Sequence, residues 1–127
     1  MALLAAYSEE AATWLDAAVA YVSSNVRFLR QFVRAHVPGV HALPLDATYC
    51  VWLDCSALGL DAAGLDELML RAGLVLSPGR EFDSSGGSDH FQRINVACSR
   101  RMLENALCKL QRAVATRHQT LAQLADG

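Results

Sequence analysis

Apolar residues recur every three or four positions through Leu15, Ala18, Val19, Val22, Val26, Leu29, Phe32 and Val33. That spacing lays one stripe along an α-helix and predicts a helix from about Leu3 to Val37, stopped by Pro38-Gly39. The pattern then changes. Val40 to Leu43 reads as a short strand, Pro44 to Asp46 as a turn, and Ala47 to Asp54 as a strand whose almost continuous apolar run marks a central position. Asp61 is placed to cap a second helix carrying Leu65, Leu68 and Met69 and ending at Arg71 to Gly73. Leu74 to Leu76 is a third strand candidate, broken by Ser77-Pro78-Gly79. A Ser/Gly-rich loop runs from Phe82 to Asp89, and Phe91 to Cys98 alternates as a strand. A last helix starts at Ser99, with its stripe at Met102, Leu103, Ala106, Leu107, Leu110, Ala113 and Val114, and is expected to fray beyond Arg117.

Strands alternating with helices, without an internal repeat, predict an α/β (α+β) fold of two layers. A small three- to four-stranded sheet carries packed helices and a long N-terminal helix. The helix occupies 1–37 and the α/β body 38–127. A helix of about 35 residues would be roughly 50 Å long, more than the diameter of a compact domain of this size. Its first third holds Leu3, Leu4, Tyr7 and Trp14, more apolar than a free helix end needs, which predicts a partner surface there. The alternative is a break at Ser23-Ser24-Asn25 that folds the helix back on itself.

At 127 residues and 53% hydrophobic content the chain is one domain with a real core, not a disordered segment. A formal net charge of −2 gives no electrostatic case for nucleic acid or an anionic membrane. No window is apolar enough to span a bilayer, and the Ala/Leu-rich start lacks a basic region, so a cytoplasmic protein is expected. Cys50, Cys55, Cys98 and Cys108 have neither metal-ligand nor disulfide spacing and read as buried small hydrophobes. His36, His41, His90 and His118 are scattered, and no metal site is expected.

The residue that invites a chemical role is Arg93. Along a strand Ile94 and Val96 share one face while Arg93 and Asn95 share the other, so the guanidinium points away from the apolar layer. A guanidinium fixed on a sheet is a rigid fork matched to a carboxylate. The plainer alternative is a surface ion pair.

An ordered set of residues resembles a known family. Tyr7, Trp14-Leu15-Asp16, Tyr21, Asn25, Phe28-Leu29 and Phe32 are followed by Pro44, Ala47-Thr48-Tyr49, Trp52-Leu53-Asp54-Cys55 and Leu58-Gly59-Leu60. Gly73, Val75, Pro78-Gly79, Phe82, Phe91, Arg93, Asn95, Ala97-Cys98, Arg100 and Leu103-Glu104 complete it. The chain resembles the C-terminal small domain of fold-type-I pyridoxal-phosphate-dependent class I/II aminotransferases, in the cystathionine β-lyase-like C–S lyase branch. The resemblance implies that the long helix passes between a large cofactor-binding domain and this one, that the parent is a homodimer, and that Arg93 binds the α-carboxylate of an amino-acid substrate. It also places Phe82 at the substrate entrance.

The resemblance equally implies what this chain should lack. The lysine that holds the cofactor, the partner of its ring nitrogen and its phosphate-binding residues belong to the large domain. Lys109 is the only lysine, lies in the terminal helix and matches no cofactor lysine. Pyridoxal phosphate is therefore expected in the parent and not in this chain alone, which would be inactive by itself. Two departures stand out: Asp83 replaces a common glycine and could occupy the Arg93 fork, and Ser99 replaces a frequent proline. The alternative function is a stand-alone, truncated binding module that uses the exposed N-terminal helix to join a partner.

Overall fold

In the computed structural model, which describes residues 7–125, Ser8 opens the first helix by accepting the Ala11 amide on its hydroxyl at 3.2 Å. Helix α1, Glu9–His36, runs 28 residues, about 42 Å. Glu9 and Glu10 sit at its positive end and Arg34 and His36 at its negative end, as the helix dipole favours. The start expected at Leu3 is thus corrected to a capped start at Glu9, and Leu3 to Ala6 lie outside the described residues. The helix also continues through Ser23-Ser24-Asn25, so the hairpin alternative fails. Ser24 and Asn25 bond to other elements and do not compete for the helix's own backbone.

The sheet consists of β1 (His41–Ala42), β2 (Cys50–Asp54), β3 (Ser77–Pro78) and β4 (Phe91–Asn95), all antiparallel in the order β1-β2-β4-β3. Its centre is the β2–β4 pair, in register Val51↔Ile94 and Trp52↔Arg93. Helix α2 (Ala62–Arg71) starts at Asp61, whose carboxylate accepts the Gly64 amide at 2.8 Å. Helix α3 (Arg100–Ala125) follows Ser99, whose hydroxyl accepts the Met102 amide at 3.3 Å.

One apolar cluster joins the layers. Val51 and Leu53 of β2 and Ile94 of β4 meet Leu29 and Val33 of α1, Leu65 and Met69 of α2, and Leu103, Leu107, Leu110 and Val114 of α3. Helices therefore cover one sheet face, and the antiparallel sheet makes the fold α+β, as the patterning predicts.

Several predicted bounds move. The third strand is Ser77–Pro78, not Leu74 to Leu76: Val75 is 93% exposed, while Ser77 and Pro78 pair along the sheet edge, where proline's missing N–H is tolerated. Strand β2 begins at Cys50 because Thr48 takes φ 72°, which breaks an extended run begun at Ala47. Strand β4 ends at Asn95, whose side chain turns back to accept the Ala97 amide at 2.8 Å. Helix α3 does not fray at Arg117 but continues to Ala125, through Gln, Leu and Ala residues of good helix propensity. Cys55 is buried as expected, but Cys50 and Cys98 are half-buried and Cys108 is exposed, because it lies off the α3 stripe.

Candidate functional site

Strand β4 alternates as its sequence requires. Gln92 and Ile94 enter the packed side, while Phe91, Arg93 and Asn95 emerge on the uncovered face. Arg93 lies between Trp52 of β2 and Ser77 of β3 in the same row. The Phe82 ring lies against its guanidinium, 4.1 Å from Cζ to the ring centroid. Phe82 meets Trp52 edge-on at 5.5 Å, and Trp52 meets Phe91 edge-on at 6.4 Å. The aromatic face steadies the cation by about 0.5–1 kcal/mol without consuming an N–H donor. Among the described residues the Arg93 side chain makes no ion pair or hydrogen bond, so its donor edge is open. The structure thus brings both predicted site residues, Arg93 and Phe82, together.

The loop that carries Phe82 is built for this contact. Gly79 begins a short helical turn, Gly79–Glu81, and accepts the Phe82 amide on its carbonyl at 2.9 Å. A Cβ on Gly79 would stand 2.3 Å from the Ser88 carbonyl oxygen, so only glycine lets the two arms of the loop approach. Arg80 pairs with Asp66 of α2, whose other oxygen accepts from the buried Gln92 amide at 3.2 Å. Asp83 does not enter the Arg93 fork. Its carboxylate accepts from the Ser85 hydroxyl and amide, the Gly87 amide at 3.0 Å and the Ser88 hydroxyl at 2.8 Å. Those bonds, the Ser85 hydroxyl first among them, hold its pKa down at about 2. Asp54 shares the Arg93 face; burial pulls its pKa up, but bonds from Ser56 and the nearby His90 and His41 leave it lowered.

Behind Arg93, α1 grips the turn between β4 and α3. The Asn25 amide, fully buried, donates to the carbonyls of Val96 and Cys98, each at 2.9 Å. The Arg100 amide donates to the Tyr21 hydroxyl at 2.9 Å and its guanidinium to the Ser24 hydroxyl at 2.7 Å, while lying 4.3 Å over the Phe28 ring. Sequence reasoning assigned these residues no task. The available signal was Asn25 itself, in phase with Leu29 and Val33 on the core stripe, where an amide is out of place without partners.

No other functional chemistry gathers at the site. Lys109 lies in the helical layer and donates from Nζ to the Gly73 carbonyl at 3.3 Å, away from the open sheet face. A cofactor needing an amine and a phosphate cradle beside Arg93 finds neither among the described residues. Among the described residues no group of three His, Cys, Asp or Glu is placed to hold a metal, and no helix is long and apolar enough to cross a membrane.

Comparison with known proteins gives this geometry its context. No family model matches the chain. Over 115 residues it is 35% identical to cystathionine β-lyase PatB of Bacillus subtilis, covering 90% of this chain and 29% of that protein. It is 30% identical over 112 residues to MalY of Escherichia coli, covering 87% and 28%. Cystalysin of Treponema denticola, whose structure contains pyridoxal 5′-phosphate, superposes with a TM-score of 0.78 at 28% identity, over 85% of this chain and 27% of that one. The chain belongs to the pyridoxal-phosphate-dependent aminotransferase and C–S lyase family. It spans less than a third of the length of the family members it matches, and the solved members include a pyridoxal-phosphate-bound C–S lyase of Staphylococcus hominis, with a TM-score of 0.72. The fold described above thus superposes on solved relatives over most of this chain.

Proposed function

We propose that the chain is the C-terminal small domain of a pyridoxal-phosphate-dependent C–S β-lyase or aminotransferase, and that Arg93 binds the α-carboxylate of its amino-acid substrate. The observation that carries this reading is the open donor edge of Arg93, rigid on a central strand and backed by Phe82. A carboxylate meeting that edge accepts two parallel N–H bonds, and Phe82 and Trp52 form an apolar wall beside it. Bond-breaking chemistry then resides on a large cofactor-binding domain, because the described residues offer no amine at the site. The exposed start of α1, with Trp14 at 72% and Leu15 at 55% exposure, is the surface that domain would cover.

The test is Arg93→Ala in the complete enzyme. Losing two charge-assisted bonds of about 1.5 kcal/mol each should raise KM for the amino acid roughly 100-fold while cofactor absorbance is retained. Unchanged KM and kcat would refute the assignment.

A further inference from the structure

The arginines of this chain fall into two groups. The chain holds 11 basic residues, of which Lys109 is the only lysine. Arg71 pairs with Glu67, Arg80 with Asp66, Arg100 with Ser24, Arg112 with the Cys108 carbonyl, Arg117 with the Leu58 carbonyl, and Arg93 rests on Phe82. Arg27, Arg30, Arg34 and Arg101 make no such contact among the described residues. Three of these four line a single concavity of about 360 Å³ between α1 and β1, together with Gln31 and His41 over a floor that includes Val40. No carboxylate lines it.

This clustering is not explained by the fold. Residues three and four apart on a helix face each other, so Arg27, Arg30 and Arg34 repel along one face of α1. The helix dipole favours Arg34, in the last turn, but its effect fades within that turn and gives no reason for Arg27 or Arg30. The chain as a whole is formally at −2, so the positive charge is local.

We propose that this concavity binds a small phosphorylated compound through a diphosphate group. Arg27 to Arg34 spans about 10 Å along the helix, so the three guanidinium groups can surround an anion longer than a single phosphate. Guanidinium forks pair with phosphate oxygens in the same two-pronged way as with carboxylates, and three clustered cations favour the more highly charged anion. The volume suits a small molecule. The site shares no lining residue with Arg93, so it stands independently of the carboxylate assignment.

The test uses the full chain with inorganic pyrophosphate as probe, at about 0.1 M chloride, following the arginine Nε–H resonances by NMR. Saturable shifts of Arg27, Arg30 and Arg34, with affinity at least tenfold above orthophosphate, are expected. Arg27→Gln/Arg30→Gln/Arg34→Gln should lose at least tenfold in affinity, and because all three side chains are exposed and repel one another its thermal midpoint should not fall below that of the parent chain. Equal binding by that variant, or shifts no larger than those from sulfate at the same ionic strength, would overturn the proposal. Citrate binding as tightly as pyrophosphate would overturn the phosphate assignment.

Discussion

Replacing Asn25 by alanine removes both hydrogen bonds that tie α1 to the turn after β4. Each is worth about 1 kcal/mol net, and the Val96 carbonyl, left buried without its donor, adds roughly another 1 kcal/mol. The expected loss is about 3 kcal/mol, which for a chain of this size lowers the thermal midpoint by on the order of 10 °C. The native side chain is itself not fully satisfied: Asn25 Oδ1 is buried without a partner. That orphan atom reduces the loss and is the reason for not summing larger penalties.

Asn25→Asp gives the sharper test, because it keeps the shape and alters only the donor. A carboxylate there faces two carbonyl oxygens in a buried site, and both effects raise its folded-state pKa above the ordinary unfolded aspartate value. The folded form therefore holds its proton longer than the unfolded one. Stability of the variant is greatest below about pH 4, where the acid donates one hydrogen bond, and falls as pH rises toward the raised folded-state value, by up to about 1.4 kcal/mol per unit. Urea unfolding of both variants between pH 3.5 and 7, referenced to the parent chain, provides the measurement. A pH-independent Asn25→Asp, or an Asn25→Ala within 0.5 kcal/mol of the parent, would refute the clamp.

Gly79→Ala should cost at least about 2 kcal/mol and detach Phe82 from Arg93, since its Cβ would meet the Ser88 carbonyl; loss of the Phe82–Trp52 contact by NOE is the readout, and an intact contact counts against it. Asp83, with its pKa held at about 2, contributes its full loop-ordering effect above the unfolded value near 3.8 and loses it as pH falls through about 2. Amide exchange at Ser85 and Gly87 should accordingly accelerate between pH 4 and 2 relative to other loop amides, and Asp83→Asn should flatten that difference. Burial pushes the Cys55 thiol up to about 12, so a thiol reagent at pH 8 should label exposed Cys108 in the folded chain and Cys55 only after unfolding.

The outward direction of Arg93 was legible because a strand's period is two: once Ile94 and Val96 are assigned to the core, its neighbours have no other face to take. Helix caps were equally local, and Asp61, Ser99 and the Pro38-Gly39 stop stand where short-range rules put them. The role of Asn25 was not legible, since its partners lie 71 and 73 residues away and the polar Ser23-Ser24-Asn25 run resembles a break until those carbonyls are in view. Ser77-Pro78 reads as a breaker in isolation and becomes a strand only because β4 offers it an edge. The approach of Phe82 to Arg93 depends on the close contact at Gly79 and on Asp83 bonding within its own loop. Neither depends on a periodic pattern.

Helix α1 has a mechanical consequence at its anchored point. From Glu9 to Tyr21, where its first bond to the rest of the domain falls, it extends about 18 Å as a projecting arm, and the ties at Tyr21, Ser24 and Asn25 act as the fulcrum. An ångström of travel at Glu9 tilts the rod by roughly 3°, which moves a side-chain contact about 5 Å from the axis by only about 0.3 Å. The arm is geared down: coarse adjustment at the exposed tryptophan end becomes fine adjustment at the turn that sets the arginine strand.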